Sequence, residues 1–142
     1  MNKIKLIALI SFFAITINLN AQKHTKTIDK KFFLENVVNY KKDSKIWTYL
    51  GDKPAIIDFY ASWCKPCRMI EPILEDLAKE YKGKINIYKV NVDKEKELAN
   101  DLGIRSLPTI VFAPKGKNPS VLVGAKSKEE LKKYIEEILL KE

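Results

Sequence analysis

The run Ala55-Ile56-Ile57-Asp58-Phe59-Tyr60 constrains the fold more than any other stretch of this chain. It is short, apolar and rich in branched and aromatic residues, and it follows the turn signal Gly51-Asp52-Lys53-Pro54. That combination predicts a buried strand, interrupted by one acid, Asp58. Just beyond it the period changes. From Pro66, the residues Met69, Ile70, Ile73, Leu74, Leu77 and Tyr81 recur at three- and four-residue spacing, which predicts a helix that Gly83 stops. Pro72 lies inside this helix and is expected to kink it, because proline lacks a backbone donor. Ile85 to Val92 then alternates as a second strand. A strand, a helix and another strand predict parallel pairing through a crossover.

The flanks add further elements. Phe32, Phe33, Val37 and Tyr40 suit one face of a helix over Lys30–Tyr40. Lys94 to Leu102 reads as a short helix ended by Gly103. Thr109-Ile110-Val111-Phe112 and Ser120-Val121-Leu122-Val123-Gly124 read as strands joined by a hairpin-like loop. Ser127 and Glu130 have the spacing of a capping box, and Leu131, Ile135, Ile138 and Leu139 form the apolar stripe of a closing helix.

The first residues follow a different pattern. Lys3 and Lys5 precede an apolar run of 14 residues, Leu6 to Leu19, and the small residue Ala21 is followed by polar Gln22-Lys23-His24. This is the layout of a secretory signal peptide over 1–21, and the run is short of the roughly 20 residues a spanning helix needs. An exported, periplasmic protein is expected, with an uncleaved membrane anchor as the alternative. The remainder, 22–142, is then one folded unit, with an N-terminal helical segment over 22–52.

The chain carries a formal net charge of +8, and losing Lys3 and Lys5 takes it to +6. The remaining lysines are scattered and interleaved with acids. No basic helix or aromatic-basic motif marks a nucleic-acid surface, so nucleic acid is not an expected partner.

The two cysteines of the chain lie together in Trp63-Cys64-Lys65-Pro66-Cys67. So short a loop gives a structural disulfide little to stabilise, since the entropy gained grows with loop length. The pair sits between a predicted strand and a predicted helix, where unpaired N–H groups and a partial positive charge favour thiolate over thiol. Taken alone, C-x-x-C fits redox chemistry, metal binding or chance. Haem attachment is excluded, because Arg68 and not histidine follows Cys67. Zinc asks for four ligands, and His24, the single histidine, lies far off in a polar segment.

The segments "DFYASWCKPCRMIEPIL" and "GIRSLPTIVF", together with "KVNVD", "VGA" and the closing helix, resemble the thioredoxin family over about residues 53–141. The resemblance implies an α/β thioredoxin fold over 53–142: a central mixed β-sheet of four to five strands, flanked by helices on both faces. The segment 22–52 shows no clear counterpart of the family's first strand.

The resemblance also implies roles. Cys64 is the exposed nucleophile and Cys67, more buried, the resolving thiol. Pro66 stiffens the loop between them. Asp58 is a buried proton shuttle for Cys67, and Lys89 is its neighbour. Pro108 belongs to a cis-proline loop, in which Ser106 and Leu107 present backbone to an extended substrate. Trp63, Val92, Gly124 and Ala125 surround the same surface. Lys65 stands where thioredoxins usually have glycine, and its charge should stabilise the Cys64 thiolate and raise the reduction potential.

The implied function is that of an exported protein-disulfide reductase acting on disulfide-containing proteins. It would be a monomer without bound cofactor or metal, supplied by a membrane-linked thiol electron donor. Competing readings are a disulfide oxidase or isomerase, a thiolate copper carrier, and a redox-inactive binding module.

Overall fold

The computed structural model describes residues 22–42 and 47–141. The expected leader, 1–21, lies outside the described residues. The elements follow as β1 (Lys26–Thr27), α1 (Lys30–Asn36), β2 (Ala55–Tyr60), α2 (Lys65–Glu80), β3 (Asn86–Asn91), α3 (Lys96–Asp101), β4 (Thr109–Ala113), β5 (Ser120–Val123) and α4 (Lys128–Tyr134). A π-helical turn, Ile135–Leu139, continues α4.

The five strands form one mixed sheet in the order β1-β3-β2-β4-β5. β1, β3 and β2 run parallel, and β4 and β5 are antiparallel to their neighbours. This is the thioredoxin fold expected from the sequence.

Strand parity divides the core. Side chains alternate between faces, so Ile56 and Asp58 share one face and Ile57 and Phe59 the other. On the first face Ile56, Ile87, Ile110 and Phe112 pack against Ile70, Leu74 and Leu77 of α2 and Leu131 and Ile135 of the closing helix. On the second, Ile57, Phe59, Val90 and Val111 meet Phe33, Val37 and Leu98. β2 and β3 are therefore buried on both faces, as parallel strands covered by helices must be. The polar-looking alternation of Ile85–Val92 does not mark a solvated face, because even Lys89 and Asn91 are inside.

α2 runs on through Pro72 and is amphipathic, but Met69, expected in its stripe, is 62% exposed. α1 is shorter than its apolar pattern suggested. Asp29 caps it through a 2.7 Å bond from the Phe32 amide, and it ends at Asn36. Tyr40 lies beyond it, donating its hydroxyl to Asp101 at 2.8 Å. The capping box at Ser127 and Glu130 forms as its spacing predicts.

The first strand does exist, but it is two residues long. Lys26 and Thr27 pair with Tyr88 and Lys89 at the edge of the sheet. An acid on α2 holds the approach to it. The Glu75 carboxylate accepts the His24 and Thr25 amides, the His24 ring nitrogen Nδ1 and the Thr25 hydroxyl. Partial burial pushes the Glu75 pKa up, but these hydrogen bonds outweigh it and hold it down to about 2.

Candidate active site

Cys64 and Cys67 sit where β2 passes into α2, and they are joined as a disulfide with Cα atoms 5.3 Å apart. Cys64 is the N-cap of α2, with Lys65 and Pro66 in its first turn. Proline is tolerated there because the first N–H groups of a helix have no intrahelical acceptor. The Cys67 amide donates to Cys64 Sγ at 3.3 Å.

Exposure does not separate the two cysteines as expected. Each is 4% exposed, because in the oxidised pair each sulfur covers the other and Ala61, Tyr60, Val92 and Leu107 pack around them. Position does separate them. Cys64 lines a slot of about 440 Å³, and Cys67 does not.

The slot is built from three segments far apart in sequence. Trp63, Lys65 and Pro66 form one wall with Cys64; Val92, Ile104, Arg105 and Leu107 form the other. Trp63 is 69% exposed, and its indole N–H donates to Asp93 at 2.9 Å, which fixes a broad apolar ring beside the thiols. Lys65 is exposed at the rim. The Arg68 guanidinium donates to the Ser62 carbonyl at 3.0 Å, bracing the turn before Cys64.

The Leu107–Pro108 peptide is cis, as the resemblance implies. Pro108 is buried, and its carbonyl accepts the Gly124 amide at 2.8 Å. Gly124 has φ +87°, a conformation L side chains rarely adopt, so glycine suits this junction of the loop with β5. Gly124 thus supports the loop and does not line the slot. Ser106 also lies outside the slot. Its carbonyl accepts the Thr109 hydroxyl at 2.6 Å, and it borders a neighbouring apolar groove that includes Trp47, Phe59, Val121 and Val123. Ala125 is exposed and is not among the slot residues.

Asp58 is 1% exposed, on the sheet face that α2 covers, and its Oδ1 has no hydrogen-bond partner. Burial pushes its pKa up to about 7, against the pull of Lys89 and with a further push from Glu71. With β3 on one side of it and β4 on the other, Asp58 lies in the interior of the sheet. Lys89 stands opposite Asp58 in the β2–β3 register. Its ammonium, however, pairs with Glu71 at 2.6 Å and lies 4.4 Å from the centre of the Tyr60 ring.

Sequence reasoning missed Glu71, Ile104, Arg105 and Asp93. Glu71 had a signal, since it follows Cys67 by four positions and shares its helix face. Ile104 and Arg105 belong to the same loop as Leu107. Asp93 carried none, because its role is one bond to a distant indole. Among the described residues no three His, Cys, Asp or Glu side chains stand together as a metal site, so a metal carrier would have only the two sulfurs. No helix among the described residues is long and apolar enough to cross a membrane.

Residues 22–137 match the thioredoxin family profile. The chain is 48% identical over 98 residues to a thioredoxin of Borreliella burgdorferi, covering 69% of this chain and 83% of that one. It is 41% identical to thioredoxin 1 of Nostoc, over 63% of this chain and 83% of the relative. It is also 42% identical to the chloroplastic M-type thioredoxin of Pisum sativum, over 73% of this chain and 62% of the relative. Among solved structures, chloroplastic thioredoxin z superposes with a TM-score of 0.66 at 29% identity, covering 80% of this chain and 93% of that one. A thioredoxin of Malassezia sympodialis gives 0.63 at 32% identity, over 81% and 90%. The helix-capping cysteine pair, the cis-proline loop opposite it and the buried acid behind it have the same meaning as these matches: the chain belongs to the thioredoxin family and is a thiol–disulfide oxidoreductase with Cys64–Cys67 as its redox pair.

Proposed function

We propose that this protein is an exported reductase of protein disulfides, with Cys64 as nucleophile and Cys67 as resolving thiol. The observation that carries the assignment of roles is the asymmetry of the pair. Only Cys64 opens on the slot, and only Cys64 receives an N–H from the first turn of α2.

In the reduced protein, the Cys64 thiolate attacks one sulfur of a substrate disulfide. A mixed disulfide forms and the substrate's other sulfur leaves as a thiolate, which takes a proton from water. Asp58, as carboxylate, accepts the proton of the Cys67 thiol. The Cys67 thiolate then attacks Cys64 Sγ. The Cys64–Cys67 bond forms, and the second substrate sulfur leaves and is protonated. The substrate gains two electrons and the protein loses two. A dithiol donor, by this reading linked to the membrane, restores the reduced pair.

The slot suits an extended peptide. Trp63 supplies apolar contact on one side, and the loop at Leu107-Pro108 supplies backbone on the other, a form of strand addition. Export rests on the pattern Lys3-Lys5, Leu6–Leu19, Ala21. A cut after Ala21 leaves His24 and Thr25 in place on Glu75.

The decisive measurement is the reduction potential together with trapping. A value near about −270 mV supports the reductase, and one near about −120 mV replaces it with an oxidase. Cys67→Ser should accumulate a mixed disulfide with substrate, and Cys64→Ser should not. The reverse result would overturn the roles. Detection of a mature N-terminus at Gln22 outside the cytoplasm supports export, and retention of Met1 in the cytoplasm refutes it.

A further inference from the structure

Asp58, buried and with Oδ1 unpartnered, stands in register with a lysine that does not neutralise it by direct pairing. Registered neighbours on parallel strands point to the same face, so Asp58 and Lys89 both project toward α2. Lys89 has a long stem, and its ammonium donates to Glu71 Oε1 at 2.6 Å, over the Tyr60 ring. The side chain of Lys89 is 6% exposed and that of Glu71 48%, so the ion pair spans the seam between the core and solvent.

We propose that Glu71 is a positioning residue of the redox centre: by holding the Lys89 ammonium at the edge of α2, it keeps that cation off Asp58 and leaves the buried carboxyl free to take and return the Cys67 proton. This rests on the reading of Asp58 as the proton shuttle.

The charged surroundings of Asp58 are few. β3 contributes Lys89, and α2 contributes Glu71 and, one turn further, Glu75, whose carboxylate is occupied by His24 and Thr25. Lys23 acts on Glu71 from the N-terminal segment. On β4 the residue opposite is Ile110, which brings no charge. Cys67 adds its thiol when the pair is reduced.

Two forces therefore meet at Glu71. Its negative charge disfavours ionisation of Asp58 directly, and its grip on Lys89 withholds the positive charge that would favour it. Removing the carboxylate should act in one direction through both.

The test is a 13C NMR titration of the Asp58 carboxyl in the oxidised protein, beside the pH profile of dithiol oxidation in the reduced protein. In Glu71→Gln the Asp58 titration should move to lower pH by about one unit, and the inflection of the profile should move with it. Glu71→Asp, which keeps the anion, should retain most of the wild-type behaviour. An unmoved Asp58 titration in Glu71→Gln overturns the role of Glu71. Asp58→Asn separates this from the shuttle reading. Loss of the inflection there upholds the shuttle whatever Glu71 does, and its persistence refutes the shuttle and with it the proposal.

Discussion

The backbone N–H of Cys67 points at Cys64 Sγ across 3.3 Å, inside the turn that their own bond closes. Once the bond is reduced, the same N–H faces a sulfur at the N-cap of a 16-residue helix. Negative charge is favoured at that place and not one turn further in. Brief treatment of the reduced protein with iodoacetamide at neutral pH should therefore alkylate Cys64 on the order of tenfold faster than Cys67. Peptide mapping by mass spectrometry reads this directly, and equal labelling would contradict the assignment of the nucleophile.

Lys65 adds a second, softer preference for charge at Cys64. The ammonium is solvated, so its effect is that of an exposed ion pair. Lys65→Gly should make the reduction potential more negative by about 10–20 mV, and the difference should shrink in high salt. Equilibration against dithiothreitol mixtures measures it. An unchanged or higher potential in the glycine variant would sink the idea.

Asp58 makes the folded state sensitive to alkali. Its folded pKa of about 7 lies above its ordinary value of 3.8, so between these values the folded chain binds more protons than the unfolded one. The stability this gives is complete below about pH 4 and is lost as pH rises through about 7. Asp58→Asn should leave stability near pH 4 little changed and raise it at pH 8 by a few kcal/mol, on the order expected for a shift of this size. Urea unfolding of the oxidised protein at the two pH values decides the matter. A variant equally less stable at both would show that the acid is a structural asset.

Glu75 works in the opposite sense. Its folded pKa of about 2 lies below the ordinary 4.5, so its stabilisation is present above about pH 4.5 and is lost as pH falls toward 2. Glu75→Gln should cost about 1–2 kcal/mol at neutral pH, through lost charge-assisted hydrogen bonds, and should flatten the acid limb of the stability profile. Faster amide exchange at Thr25 would accompany it. Wild-type protection of that amide in the variant would rule out the clamp.

The central sheet and the redox pair were legible because local pattern and global fold agree there. Ile56, Ile57 and Phe59 are apolar on both parities, so the strand announces that it is covered twice. Features that depend on long-range contact were not legible. β1 consists of a lysine and a threonine, and contacts distant in sequence hold it to the sheet: Glu75 binds the residues before it, and Ile28 after it is buried with its amide on the Lys89 carbonyl. The resemblance implied that Lys89 neighbours Asp58, and the strand register places it there, but a long side chain chooses its partner in three dimensions and chose Glu71. The resemblance implied that Gly124 and Ser106 belong to the substrate surface. The structure adds a role that the sequence did not show: their backbone groups bond Pro108 and the Thr109 hydroxyl and so brace the cis-proline loop.

The helix that carries the thiols is also the one that fastens the start of the described chain. Glu75 lies eight positions beyond Cys67, which at about 1.5 Å each is about 12 Å along the helix axis. Gln22, Lys23 and His24 then run beside Ala78, Lys82 and Gly83, at the end of α2 remote from the sulfurs. A surface or bead attached at that end would leave Cys64 and its slot open to substrate.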